Sequence, residues 1–230
     1  MRVLVLNASP KGEESHTMAL TRAFLSGFPA GTETETLELR NLTIRPCTGC
    51  LGCWTKTPGR CVLRDDMEQV YAAIARADVI AESFPLYFYG LPGTLKTMMD
   101  RCLPYTKAYG WSGSAKHELR DPSMLQKRLV LLSTSWHTGI EQLYAAVRAQ
   151  FDLLCGEGNY ETVFCPQGEL FALDACKRQV GAYLRDVRQA GSEMADTGRI
   201  TPETSAKLAR QILSDATFER ITRPHWQIVD

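Results

Sequence analysis

The sequence lacks any charge imbalance: its 230 residues carry 26 Lys plus Arg against 26 Asp plus Glu. A chain whose main task is to grip nucleic acid shows a basic excess or stripe, so that class is disfavoured. It also lacks an apolar run near the ~18 residues that a membrane span needs. The opening stretch MRVLVLNASPKG is too short in apolar residues for a signal-peptide core, and no small-residue cleavage site follows. It reads as the first strand of a cytoplasmic protein, and the eight cysteines are then read as reduced thiols or ligands rather than structural disulfides. The four histidines, His16, His117, His137 and His225, have no metal-ligand spacing. Internal repeats and low-complexity linkers are absent as well.

What is present is an alternation of strand and helix patterns. Apolar or alternating runs at 2–6, 33–39, 78–84, 128–135 and 159–165 predict five strands, the second weak and suited to an edge. Helical stripes fall at 15–28, 65–77, 93–103 and 139–154, with Asp65 and Glu68 spaced as a capping box. After residue 170 the pattern is helical only: one helix over 174–195 and another over 201–213, with Thr201 as cap and Pro202 at the first position. The tail TRPHWQIVD reads as an arm packed on the domain or on a neighbouring subunit. Such alternation indicates an α/β fold, a parallel sheet with helices on both faces and a helical C-terminal extension; the order expected of its five strands is 2-1-3-4-5.

An open parallel sheet binds ligands beyond the carboxyl ends of its strands, where the strand order reverses. Here that point lies between strands one and three. The loop after strand one, NASPKGEESHT, gathers Ser9, Lys11, Ser15 and Thr17 where a helix begins, a place suited to phosphate. It matches neither G-x-x-x-x-G-K-[ST] nor G-x-G-x-x-G, which disfavours an NTPase and a Rossmann dinucleotide site. The other reading of this loop is an ordinary capped turn with Ser15 as the cap. After strand three, Pro85, Leu86, Tyr87, Phe88, Tyr89 and Gly90 make a rigid aromatic loop that either stacks on a planar ring or packs in the core or an interface. After strand four, Ser133, Thr134 and Trp136 reach the same sheet edge. A ligand with a phosphate at one end and a large planar ring at the other, such as FMN, satisfies both loops.

The motifs NASPKG…SHT, PLYFYGLPGTLKTMMDR and STSW resemble the flavodoxin-like NAD(P)H-dependent FMN reductase family over about residues 1–165. The resemblance implies an FMN-binding domain at 1–170 and a helical extension at 171–230 that packs on it or on a subunit neighbour. It assigns Ser9, Lys11, Ser15 and Thr17 to the FMN phosphate, and residues 85–90 to the isoalloxazine and ribityl chain. The implied chemistry is hydride transfer from a nicotinamide to flavin N5, with no catalytic side chain required. Electrons then pass to a quinone, a free flavin, another small acceptor or a redox protein. The family also implies a homodimer or homotetramer.

Four cysteines, Cys47, Cys50, Cys53 and Cys61, lie within RPCTGCLGCWTKTPGRC. The run resembles that of the iron–sulfur flavoprotein branch of the same family. The spacing C-x2-C-x2-C with a later fourth thiol suits a [4Fe–4S] cubane and fits zinc less well. A redox disulfide, or a cluster-free loop with cysteines packed as small hydrophobes, remains open. Cys102, Cys155, Cys165 and Cys176 share no spacing and read as packing residues. Asp100 and Arg101 read as structural ion-pair residues. Three functions follow: an FMN-dependent NAD(P)H oxidoreductase, an iron–sulfur flavoprotein carrying electrons between proteins, or a flavin-free redox or zinc sensor. Carriers of this fold are often strongly acidic, and the neutral charge favours the enzyme.

Overall fold

A computed structural model describes residues 1–109 and 118–228; His117 lies outside the described residues. Strands β1 (Arg2–Asn7), β2 (Glu33–Glu38), β3 (Val79–Pro85), β4 (Arg128–Thr134) and β5 (Glu161–Cys165) form one parallel sheet in the order β2-β1-β3-β4-β5. The helices in chain order are α1 (His16–Leu25), α2 (Gly52–Thr55), α3 (Met67–Arg76), α4 (Gly93–Asp100), α5 (Ala145–Cys155), α6 (Lys177–Thr197), α7 (Pro202–Leu208) and α8 (Asp215–His225).

The inner strands are apolar on both faces because helices cover both. Val3 and Val5 of β1 point into a core filled from α1 by Leu20 and Phe24 and from α6 by Tyr183 and Val187. Leu4 and Leu6 point the other way, onto Val70 of α3, Leu95 of α4 and Phe151 of α5. β2 is the solvent-facing edge, and its charges are paired there: Glu33 with Arg2 and Glu35 with Arg76. Charged side chains along an edge discourage pairing with another chain.

Helices α1 and α6 meet backbone to backbone. A Cβ on Gly191 would stand 1.8 Å from the Phe24 carbonyl oxygen, and one on Gly27 would stand 2.1 Å from that of Arg188. Only glycine permits this approach. Residues of the C-terminal third, including Met194, Ile200 and Leu208, share one core with the sheet.

Local details differ from the sequence expectations for identifiable reasons. The Asp65–Glu68 capping box does not form: Asp65 is bound by Arg101, and Glu68 pairs with Arg64 at 2.7 Å. The helix expected at 139–154 starts at Ala145, after turns that keep Ile140 buried. α4 stops at Asp100 and gives way to a 3-10 turn, Leu103–Tyr105, that carries Pro104. A second 3-10 turn, Asp174–Cys176, precedes α6. At α7 the Thr201 hydroxyl accepts from the Thr204 amide at 3.3 Å, with Pro202 in the first turn as expected, but the helix ends at Leu208. The tail starts within α8, which tolerates Pro224 in its last turn and buries Phe218, and Trp226 beyond the helix packs edge-on against Trp136. Cys165 and Cys176 are buried, whereas Cys102 and Cys155 are half-buried. Among the described residues no helix is long and apolar enough to cross a membrane.

One residue inside β3 breaks the apolar pattern. Glu82 is buried, its Oε2 has no hydrogen-bond partner among the described residues, and burial pushes its carboxyl up to about 8. At neutral pH it is a carboxylic acid rather than a carboxylate.

Candidate functional site

The carboxyl ends of β1, β3, β4 and β5 bring four loops to one edge of the sheet. After β1, the Asn7 side chain ties that loop to the end of β2, donating to Glu38 at 2.8 Å and accepting from the Ser9 amide at 3.0 Å. The chain then turns at Gly12, whose φ is +59°. A Cβ there would meet the Arg40 guanidinium at 2.4 Å, and Arg40 Nη1 donates to the Pro10 carbonyl at 3.1 Å. A cation from the segment after β2 thus lies over this loop, a placement that sequence spacing gave no sign of.

Ser15 is the N-cap of α1: its Oγ accepts from the Met18 amide at 3.0 Å, which leaves the hydroxyl proton free to donate. The first-turn amides of His16 and Thr17 have no acceptor within the helix. Lys11 is exposed beside them. This set of amides, hydroxyl and ammonium suits a phosphate dianion. The capped-turn reading and the phosphate reading are therefore compatible. The Thr17 hydroxyl is buried and bonded to that of Thr134 at 2.7 Å, joining the loop after β1 to the end of β4. Thr21 and Ser83 make a similar pair at 2.8 Å. His16 faces Glu169 at 3.8 Å and stacks near Phe171; burial lowers its pKa, Glu169 acts against that shift, and Lys11 adds to it.

After β3, Tyr87 and Gly90 exchange backbone hydrogen bonds at 3.2 and 3.0 Å, closing a two-residue turn. Its central residues, Phe88 (φ 48°) and Tyr89 (φ 65°), are both left-handed. Turns of this kind normally use glycine, asparagine or aspartate. Two aromatics held there cost about 1–3 kcal/mol each in backbone strain, and such strain concentrates at functional sites. Phe88 is 100% exposed, with Tyr87 and Tyr89 half exposed on either side. Pro85 and Leu86 are half-buried, and the Leu86 amide donates to the Thr134 carbonyl at 2.9 Å.

After β4, the residues diverge. Ser133 points into the core and its Oγ bonds the Tyr144 hydroxyl at 3.0 Å. His137 stacks on Tyr89, with ring centres 6.4 Å apart. Trp136 turns toward the C-terminal segment, edge-on to Phe218 and Trp226. Buried Gln167 fixes that segment: its side chain accepts from the amides of Ile212 and Leu213 and donates to the Leu213 carbonyl, each at 2.8 Å. Sequence reading missed Gln167 because its partners lie 45 and 46 residues away.

The four-cysteine loop forms a second centre. Cys47, Cys50, Cys53 and Cys61 line one pocket, together with Leu51, Val62, Asp100 and Arg101. Left-handed Gly49 and Leu51 fold the loop tightly, and Trp54 Nε1 pins α2 to the Thr106 carbonyl at 3.0 Å. Burial pushes the Cys53 thiol up, and Cys61, Cys47 and Cys50 push it the same way. The Gly52 amide and the Thr48 hydroxyl lower the exposed Cys50 thiol. An all-thiol donor set converging on one pocket fits an iron–sulfur or other thiophilic metal centre. Among the described residues, no three His, Cys, Asp or Glu side chains already stand at ligating distance from one point.

The sheet order and the ligand-facing switch point define a flavodoxin-like α/β protein. The chain belongs to the family described as having the flavodoxin-like fold, whose sequence profile matches residues 1–154. Among curated relatives, an iron–sulfur flavoprotein of Methanocaldococcus jannaschii is 34% identical over 104 residues, 45% of this chain and 53% of the relative. An FMN-dependent NADH:quinone oxidoreductase of Pseudomonas fluorescens is 28% identical over 114 residues, 44% of this chain and 56% of the relative. The chain thus spans about half the length of the curated relatives it matches. The structure of an NAD(P)H:quinone oxidoreductase from Methanothermobacter marburgensis superposes with a TM-score of 0.62, covering 84% of this chain and 96% of that one. At 22% identity, that likeness is one of fold.

Proposed function

We propose that the chain is an FMN-dependent NAD(P)H oxidoreductase that passes electrons to a quinone or another small acceptor. The observation that carries this reading is the strained, exposed aromatic turn at Phe88–Tyr89, facing a phosphate-type donor set across the β1/β3 switch point. In this reading Ser9, Lys11, the Ser15 hydroxyl and the first-turn amides of α1 hold the phosphate. Thr17 acts by fixing the position of that cradle through Thr134. The turn at 85–90 and the His137 ring wall the isoalloxazine, and Trp136 acts from one side through its contacts with α8. When bound, FMN supplies acceptance of hydride from a nicotinamide and onward delivery of electrons. The chain's own work is to bind, orient and shield, which needs no acid–base residue. The relative named as an FMN-dependent NADH:quinone oxidoreductase supports the assignment.

Mixing the FMN-loaded protein with NADH or NADPH without oxygen tests it. Bleaching of the flavin band at about 450 nm, followed by reoxidation with a quinone, is the expected outcome. A flavin that neither nicotinamide reduces would contradict the enzyme reading.

A second reading is favoured by the convergence of four thiols on one pocket and by the likeness to an iron–sulfur flavoprotein. Here the loop holds a [4Fe–4S] cluster through Cys47, Cys50, Cys53 and Cys61. Such a cluster would supply one-electron transfer, and a redox protein would then be the partner. Iron and acid-labile sulfide, measured on anaerobically purified protein, separate this reading from the cluster-free loop.

A further inference from the structure

Beneath the four thiols lies a buried ion pair. The Arg101 side chain is 0% exposed; Nη1 and Nη2 grip the Asp65 carboxylate at 2.8 and 3.1 Å. Nη1 also donates to the Arg45 carbonyl at 2.7 Å, and the Arg45 amide donates back to Asp65 at 3.1 Å. Arg45 precedes Cys47 by two residues and Asp65 follows Cys61 by four. One guanidinium at the end of α4 therefore ties together both ends of the cysteine loop. Asp66 repeats the closure, accepting from the Thr43 amide at 2.7 Å.

Arg101 also forms part of the pocket wall that the cysteines line. Its Nε is buried and has no hydrogen-bond acceptor among the described residues, an uncommon condition for a charged donor. Folding alone does not require an arginine here, since an apolar pair of similar volume often serves a core as well as a buried ion pair. A metal held by four thiolates does call for a nearby positive charge: a divalent ion with four thiolates, like an oxidised cubane with four thiolates, carries a net charge of two minus. The Asp65 carboxylate balances the guanidinium charge, so the pair is neutral as a whole; its cationic member Arg101, and not Asp65, lines the pocket.

We propose that Arg101 is the positioning residue of a tetrathiolate metal site: it presets the loop by clamping its two ends, and it sets a buried positive charge against the anionic centre. This inference rests on the reading that the four cysteines bind metal. It goes further by naming what organises and tunes the site.

The test uses the full chain, reduced and iron-free, titrated anaerobically with cobalt(II), whose tetrathiolate complexes have intense visible absorption. Parallel samples are reconstituted with ferrous iron and sulfide, and the midpoint potential of the resulting centre is measured. Wild type is expected to give the tetrathiolate spectrum. R101M should bind cobalt at least tenfold more weakly while melting cooperatively. R101K, which keeps the charge and loses the fork, should fall between them. Any cluster formed in R101M should have a more negative midpoint potential than wild type, a shift that a merely structural role would not produce.

If R101M fails to fold, the neutral pair D65N/R101Q replaces it, with the same tenfold loss expected. Cobalt affinity in the folded variant equal to wild type overturns the role of Arg101, even with iron bound normally. Cobalt binding that depends on Arg101, without any iron uptake, upholds Arg101 and refutes the cluster. No tetrathiolate spectrum in wild type overturns both.

Discussion

At the scale of single residues, the chain contains side chains whose behaviour is set by long-range neighbours. Asp65 shows this best. Its spacing to Glu68 suggested a capping box; the carboxylate does accept from the Met67 amide at 3.2 Å, but Arg101, 36 positions on, grips it as well and holds its pKa down to about 2. Ser15 was legible as a cap because its partner lies three residues away, whereas the Thr17–Thr134 bond spans 117. Spacing arguments reach one helical turn; they do not reach across a sheet. Glu82 gives a prediction at this scale. Its raised pKa means that the unfolded chain binds fewer protons than the folded one between about 4.5 and about 8. Stability therefore falls as pH rises through that window, by at most about 1.4 kcal/mol per unit. The Glu82→Gln variant should melt higher than wild type by at least about 5 °C at pH 7.5. The gap should close at pH values well below 4.5, where the side chain is protonated in both states. Equal melting points at both pH values would show that Glu82 is not held neutral.

At the scale of elements, strands were more legible than helices. Apolar runs in β1 and β4 are long and bounded, so their limits agree with the structure to within one residue. Helix ends were missed where tertiary contacts compete, as at α5, whose expected first turn is spent closing the site-edge loop instead. The tail was read as an arm packed on the domain or a neighbour; its first residues continue α8, where Pro224 in the last turn removes little, and Trp226 packs against Trp136. Nothing in the sequence revealed that Gly191 is a contact point, since a glycine inside a helix has no signature of its own. Two substitutions in the same helix separate packing from propensity. Gly181→Ala, with nothing within 4 Å of the new methyl, should stabilise by about 0.5–1 kcal/mol. Gly191→Ala, driven into the Phe24 carbonyl, should destabilise by about 1–3 kcal/mol. Urea unfolding of both variants reads the difference, and equal effects would contradict the close α1–α6 crossing.

At the scale of the whole molecule, a parallel sheet places the ends of distant segments side by side, and that is where the chemistry gathers. The parallel sheet was legible from the alternation of strands with helices, and the order expected for it, 2-1-3-4-5, is the one observed. The left-handed turn at Phe88 and Tyr89, the Arg40 lid on Gly12 and the Gln167 anchor of the C-terminal segment were not legible. Each depends on a contact made only once the sheet has assembled. FMN titration of the reduced, cofactor-free chain, read by quenching of flavin fluorescence, tests the switch-point site directly. Saturable binding at one FMN per chain is expected, weakened about tenfold to a hundredfold by Ser9→Ala with Lys11→Ala. A chain that leaves FMN fluorescence unchanged, or a double variant that binds as tightly as wild type, would contradict the account.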